Sequence, residues 1–251
     1  MTNLITITNN NVEKHGFFCK MSARKSSAWK RKRAWLADRF EEGLQMRLLG
    51  DGERGFIEFT PGEFAWRGIE NAQDYMIIHC LWVVGKSKGK GHAKALLDHA
   101  EAFAQDNGFK GIAALTSSGN WLVDNKILQA RGYDAIDTAP PGYALMARSF
   151  DGSTPTPKLV GRWDKKAEAL GDGLTVLHSA QCPYLEDAVQ HAKDAAEEAG
   201  IPFTASEIIS AHDLRARVPN PYGVFSMVLN GRQIASHYLL KKQIMPLLAQ
   251  S

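Results

Sequence analysis

Residues 86–93 read Lys-Ser-Lys-Gly-Lys-Gly-His-Ala, and this interleaving of lysine and glycine is the part of the chain best suited to chemistry. Glycine allows sharp turns and lets backbone amides approach a ligand closely. The amides that open a helix have no partner within it and carry a partial positive charge. Lys86, Lys88 and Lys90 add full charges beside them, which makes the loop a cradle for a pyrophosphate. Its spacing is neither the Gly-x-Gly-x-x-Gly of a dinucleotide site nor the Gly-x-x-x-x-Gly-Lys-Ser/Thr of a triphosphate loop.

The elements around the loop must hold it in place. The apolar run of residues 75–84 predicts a strand that leads into it, and the periodicity that follows predicts a helix of about four turns. Residues 108–117 predict another strand, and residues 124–133 a helix ending at the Gly132-Tyr133 pair. Upstream, residues 4–8 read as a strand. Residues 25–41 read as a helix with Trp29, Trp35, Leu36 and Phe40 on one face. Residues 44–49 and 55–60 pair across the Asp51-Gly52 turn, and residues 142–148 give a last strand. An antiparallel start followed by strand-helix-strand predicts a mixed α/β (α+β) domain with a central mixed sheet.

Lys88-Gly-Lys-Gly-His-Ala93 resembles the Arg/Gln-x-x-Gly-x-Gly/Ala motif of the GNAT acetyltransferases, with lysine where the family carries Arg or Gln. Residues 124–133 resemble the family's second motif. The chain is similar to the YoaP type of GNAT protein at His79-Cys-Leu-Trp-Val83, Phe56-Ile-Glu-Phe59 with Ala65-Trp66, Thr116-Ser-Ser118 with Trp121-Leu122, and Asn220-Pro-Tyr-Gly-Val-Phe225 with Asn230-Gly231. In that branch a GNAT domain precedes a small YoaP-like domain, and the likeness covers nearly the whole chain. The resemblance implies a GNAT fold, acetyl-CoA as cofactor, and acetyl transfer to an amine acceptor, here a small molecule. It implies that the backbone of Leu81, Trp82 and Val83 grips the pantetheine arm. It also implies that the amides of Lys86, Lys88, Gly89, Lys90, Gly91, His92 and Ala93 hold the pyrophosphate.

Such a transfer needs a neutral amine, hence a base, and a donor for the developing oxyanion. His79 is the expected base. It stands just before the cofactor-binding end of the strand, where the family often carries Glu or His, and an ordinary imidazole titrates near pH ~6.5. Glu58 and Glu70 are lesser candidates, with Glu58 placed to face the groove from the hairpin. By strand alternation Cys80 faces away from His79 and packs in the core. The family's second motif usually carries a tyrosine four residues before its glycine, and here that position is Leu128. Leucine donates no proton. Either the thiolate leaves unassisted or through water, or Tyr133 or Tyr143 reaches in, or the domain is a non-catalytic acyl-CoA-binding or scaffold protein.

The 251 residues suffice for two small domains. Residues 151–160, dense in proline, glycine and small polar residues, predict a linker between a GNAT domain at 1–150 and a second domain at 161–251. No apolar run is long enough to span a bilayer, and the N-terminus lacks the basic start and apolar core of a signal peptide. Cys19, Cys80 and Cys182 are odd in number and scattered, which argues against a disulfide scaffold and fits a reducing cytosol. No Cys/His spacing matches a zinc site, and no metal is expected. A net charge of +3 is too small to imply nucleic acid. The basic run of residues 24–33 reads as the solvated face of a helix, with an acidic substrate, nucleic acid or the ribose phosphate of CoA as alternatives. Trp29 and Trp35 either shape an acceptor pocket or anchor that helix.

In the second half, residues 173–178 predict a strand, residues 182–199 a helix and residues 202–205 a short strand. Residues 225–229 and 233–236 predict a hairpin across Asn230-Gly231, and residues 238–248 a closing helix. This order resembles a thioredoxin-like fold. Cys182-Pro-Tyr resembles the first half of a glutaredoxin site, where a helix start lowers a thiol pKa. Leu185 replaces the second cysteine and excludes dithiol chemistry within the motif, so Cys182 reads as structural or partner-binding, with a thiol-based function as a further alternative.

Overall fold

The computed structural model describes residues 2–118, 121–152 and 156–249. The chain divides into two compact units, Met1–Ala65 with Ile69–Leu159, and Trp66–Gly68 with Val160–Ser251. Of the expected linker, residues 153–155 lie outside the described residues, and Lys158–Leu159 forms a strand instead.

In the first unit the elements run β1 (Leu4–Ile7), α1 (Val12–His15), α2 (Ser27–Glu41), β2 (Gln45–Leu49), β3 (Gly55–Pro61), β4 (Ile69–Glu70) and β5 (Tyr75–Val83). They continue with α3 (His92–Asp106), β6 (Gly111–Thr116), α4 (Asn125–Gln129), β7 (Asp134–Ala139), β8 (Tyr143–Ser149) and β9 (Lys158–Leu159). Seven strands form one sheet in the order β1-β2-β3-β5-β6-β8-β7. The β5–β6 pair is parallel and the others antiparallel, so the class is mixed α/β with a central mixed sheet, as the pattern predicts. β4 and β9 pair separately.

β7 is an element that the sequence reading lacks. Its sequence, Asp-Ala-Ile-Asp-Thr-Ala, is polar because it forms the sheet edge beside β8, where one row of side chains meets water. The α2 start is set by Ser26, whose Oγ accepts the amide hydrogen of Trp29. α3 buries Leu96, Leu97, Ala100 and Ala104 along one stripe, the spacing of a helix lying on a sheet. That stripe packs with Ile57, Phe59, Met76, Ile78, Ile112, Ala114 and Met146 in a single core. Truncating a residue there, such as Leu97→Ala, costs ~2–5 kcal/mol.

The second unit contains α5 (Trp163–Glu168), β10 (Leu174–His178), α6 (Leu185–Ala199), β11 (Phe203–Glu207), α7 (Ala211–Arg217), β12 (Phe225–Leu229), β13 (Arg232–Ala235) and α8 (Lys241–Leu248). Its sheet order is β11-β10-β12-β13, with β10 parallel to β11 and antiparallel to β12. Asn230 and Gly231 both take positive φ, 50° and 74°, which the tight β12–β13 turn demands. α6 begins at Leu185, three residues later than the sequence suggests, so Cys182 lies in the preceding turn, its carbonyl accepting from the Leu185 amide. Nothing in the sequence marks Trp66–Gly68 as part of this unit. The Gly68 amide donates to the Pro221 carbonyl at 2.9 Å, and the Arg67 guanidinium lies 5.1 Å from the Tyr222 ring centre.

Candidate functional site

The central strands part company halfway. The parallel β5–β6 ladder runs from Tyr75↔Gly111 to Ile78↔Ala114 and ends there. β5 continues along β3 to Val83, and β6 continues along β8 to Thr116. Beyond Ile78 the edge of β5 that would have met β6 is therefore left for another partner, and backbone groups must find one. A groove of roughly 600 Å³ opens at this split. Leu81, Trp82 and Val83 line one wall, Leu122, Val123, Asp124 and Ile127 the other, and the loop between β5 and α3 lines its end.

That loop is built on glycine. Gly85, Gly89 and Gly91 have φ of 58°, 77° and 81°, a region that residues with a Cβ rarely adopt. A Cβ on any of them would meet nothing within 4 Å, so the requirement is conformational and the loop surface is open. Gly91 caps α3 without a side chain, so no side chain claims the first-turn amides of the helix.

Of the residues expected to hold a cofactor, Leu81, Trp82, Val83, Lys88, Gly89, Gly91, His92 and Ala93 line the groove. Lys86 and Lys90 stand outside the lining. Lys90 Nζ lies 2.7 Å from Glu53 Oε1, and His92 Nε2 lies 3.4 Å from Glu53 Oε2. Hydrogen bonds from Lys90 and then Ser87 hold the Glu53 carboxyl down to about 2. The loop thus carries its own counter-charge, and Lys88 with the helix terminus supplies the positive field along the groove. The sequence marks residues 124–133 as a motif and Leu122 as part of the likeness, but it does not mark Ser87 or show that residues 122–127 form a groove wall. Ser87 Oγ accepts the Arg54 amide hydrogen at 2.7 Å and ties the loop to the start of β3. Asp124 was a detectable signal, since it precedes α4 and caps it by accepting the Lys126 amide hydrogen.

His79 occupies a β-bulge at the point where β5 leaves β6. Glu58 pairs with Cys80 and Phe59 with Ile78, leaving His79 between them. Met76, Ile78 and Leu81 all belong to the α3-side core, and the three-residue step from 78 to 81 shows that alternation breaks here. His79 and Cys80 therefore both face the side away from α3. This corrects the expectation, drawn from strict alternation, that they face opposite ways.

On that side the structure assembles a buried triad. His79 Nδ1 lies 3.2 Å from Glu58 Oε1, and Lys32 Nζ lies 2.7 Å from Glu58 Oε2. The side chains are 0%, 1% and 3% exposed for His79, Glu58 and Lys32. Lys32 Nζ also sits 4.0 Å from the Trp35 ring centre. Lys32 thus departs from the reading of its basic run as a solvated face. Trp29 stacks on Phe17 at 5.0 Å, and both tryptophans are buried, so they anchor α2. Burial alone would push the Glu58 carboxyl up, but the Lys32 charge and the His79 hydrogen bond outweigh it and hold the group down to about 2. An ionised carboxylate only accepts hydrogen bonds. The proton of a neutral His79 ring therefore sits on Nδ1, and its lone pair on Nε2.

Glu58 faces His79 within the sheet rather than the groove. Glu70 pairs with Lys158 at 3.1 Å and joins neither triad nor groove. Leu128 is fully buried in α4. The Tyr133 hydroxyl donates to Glu101 at 3.1 Å, and burial together with the Glu101 charge raises its pKa. Glu101 also accepts from Arg131 and Arg148, which fixes Tyr133 in a structural network beneath α3. Tyr143 is buried on β8. Among the described residues, no group of three His, Cys, Asp or Glu could hold a metal, and no helix is long and apolar enough to cross a membrane.

Comparison with known proteins gives concordant results. Residues 15–120 match the acetyltransferase (GNAT) family. Over 232 residues the chain is 31% identical to YoaP of Bacillus subtilis (strain 168), an uncharacterized N-acetyltransferase, covering 91% of each chain. Among solved structures it is similar to the GNAT-family N-acetyltransferase YhbS of Escherichia coli in complex with CoA, with 14% identity, 63% and 89% of the two chains covered and a TM-score of 0.42. It is likewise similar to the PaiA N-acetyltransferase of Thermoplasma acidophilum in complex with coenzyme A, with 14% identity, 60% and 99% covered and a TM-score of 0.42.

Proposed function

This chain belongs to the GNAT acetyltransferase family, and on that premise we propose that it acetylates an amine on a small molecule, using acetyl-CoA held in the β5 groove and His79 as base. The observation that carries this reading is the split of β5 from β6, which frees the β5 segment between the bulged His79 and the glycine loop; His79 itself is sealed behind the groove and is not among its lining residues. The groove fits the cofactor on three counts. Its volume suits a ligand of that size, its β5 edge offers backbone groups to an extended amide-bearing arm, and its end presents uncapped helix amides beside Lys88. When bound, acetyl-CoA supplies an activated thioester carbonyl.

The chain's own residues then divide the work. The backbone of Leu81, Trp82 and Val83 orients the pantetheine arm. Amides from Lys88 to Ala93 and the Lys88 charge hold the pyrophosphate. His79 Nε2 takes a proton from the acceptor ammonium, which leaves the neutral amine that can attack. Glu58 fixes the His79 tautomer and stabilises the imidazolium once formed, and Lys32 keeps Glu58 ionised. Leu128 supplies no proton, so the proton balance rests on His79 and solvent. Three reduced, partly buried cysteines suit a reducing cytosol.

Acetyl-CoA consumption across a panel of small amines, followed against pH, tests this. His79→Ala is expected to lower kcat/KM by ~10²–10⁴-fold and to remove the acid limb of the profile. An unchanged turnover and profile would eliminate His79 as base.

We infer further that the second unit is thioredoxin-like, supported by its β-α-β then β-β-α order and its β11-β10-β12-β13 sheet. With Leu185 in place of a second cysteine, Cys182 serves structure or partner binding. Its alkylation by iodoacetamide at pH 7 is expected to match that of a simple thiol, and a rate tenfold faster would contradict this.

A further inference from the structure

The second unit carries a groove of roughly 460 Å³ between α5 and α7. Its lining includes Arg162, Lys165, Lys166, Arg215 and Arg217, and no acidic residue. Five cations around one concavity repel one another unless a counter-charge is present. Part of that counter-charge is internal. Arg217 Nη1 lies 3.1 Å from Asp213 Oδ2, and its Nη2 donates to Ser206 Oγ at 2.7 Å. Lys166 Nζ donates to the Arg215 carbonyl at 2.6 Å and lies 4.7 Å from the Trp163 ring centre. These contacts fix where the two cations stand. Arg162 and Lys165 are exposed, and no acidic side chain among the described residues engages either. Arg162 has a φ of 55°, a left-handed conformation uncommon outside glycine, and such conformations gather at ligand sites. The chain as a whole has a net charge of only +3, so this local excess is not a by-product of a basic protein.

We propose that this groove is an anion site for a small diphosphate-bearing molecule. Arg162 can meet phosphate oxygens in bidentate fashion and Lys165 adds a point charge, while Arg215, Arg217 and Lys166 contribute to the positive field of the groove. Val160, Ala169, Leu170 and Ala216 give the groove an apolar floor for the rest of the ligand. The volume is that of a small-molecule site, and the concave, confined charge suits a compact polyanion better than a nucleic-acid strand.

Inorganic pyrophosphate, titrated calorimetrically into the full-length chain, is the probe. The Gly91→Glu background disables the first unit's loop, so any remaining binding reads this groove. The expected result is binding in Gly91→Glu that weakens as salt is raised, and at least a tenfold loss on adding Arg162→Glu and Lys165→Glu. Both side chains are exposed, so the unfolding midpoint is expected to stay put; the milder Lys165→Gln should give a smaller loss. No binding in Gly91→Glu, or equal binding with and without the charge reversals, would overturn the proposal. Single-stranded DNA and vesicles bearing phosphatidylinositol phosphates form the other arms. Capture of either through Arg162 and Lys165, with pyrophosphate ignored, would overturn the small-molecule assignment.

Discussion

The loop of residues 85–93 and the Lys32–Glu58–His79 triad hold charge under opposite conditions, a few residues apart along β5. In the loop, Lys86, Lys88 and Lys90 are exposed, and the carboxylate that answers Lys90 and His92 belongs to the partly exposed Glu53. In the triad, three ionisable groups are sealed from water and depend on one another. Charge on an exposed loop is screened, so single changes there tune ligand affinity and leave the fold alone. Charge in the interior is tolerated only while every member is paired, so single changes there damage the fold as well as the chemistry. Under the proposed function the loop is a wet, adjustable grip on the cofactor and the triad a dry, fixed base.

The sharpest break in that contrast is Glu58→Ala. It leaves the Lys32 ammonium buried without its carboxylate and is expected to cost ~3–5 kcal/mol in urea unfolding. Glu53→Ala is expected to leave the unfolding midpoint unmoved. Equal shifts for the two would erase the distinction between the regions.

Acid is expected to act on stability through the triad rather than the loop, because the Glu53 pair is exposed to solvent and screened. The Glu58 carboxyl titrates at about 2 in the folded chain, below its ordinary value of 4.5. On acidification the unfolded chain therefore takes up the proton first. The stabilisation is whole above about pH 4.5 and disappears as the pH falls toward about 2. Chemical denaturation from pH 6 to pH 2 is expected to show this loss in the wild type and a flatter curve in Glu58→Gln. A parallel pair of curves would show that Glu58 is not the group responsible.

Within the loop the effects are smaller. Lys88 lines the groove and Lys90 is tied to Glu53 outside it. Lys88→Ala is expected to weaken acetyl-CoA binding by roughly tenfold, the scale of one charge-assisted contact, and Lys90→Ala by less than about threefold. The reverse order would mean that Lys90 leaves Glu53 to meet the cofactor.

The same two regions differ in how plainly the sequence shows them. The loop is legible because everything it needs is contiguous: a strand, glycines at positive φ and a helix start. The triad is not, because Lys32, Glu58 and His79 come from α2, β3 and β5 and meet only in the folded chain. Charge density at residues 24–33 points to a solvated face, whereas Lys32 alone turns inward to Glu58. The bulge at His79 also escapes a reading based on alternation, since one extra residue in β5 reverses the sense of every side chain after it. The groove wall at residues 122–127 is legible only in part: residues 124–133 stand out as a motif, but nothing in the mainly apolar Leu122, Val123 and Ile127 marks them as the lining of a groove. Leu128 is legible as a departure, and its burial leaves the proton-donor position apolar.

The central claim is that the amides of residues 88–93, freed by Gly91, hold the pyrophosphate of acetyl-CoA. Isothermal titration of acetyl-CoA into the wild type and into Gly91→Glu tests it most directly. Glutamate at a φ of 81° strains the turn and places a negative charge where phosphate oxygens would lie. The account predicts micromolar binding by the wild type and a loss of about 100-fold or more in the variant, roughly 2.7 kcal/mol. No wild-type binding at high micromolar cofactor, or equal affinity in the two proteins, would contradict it.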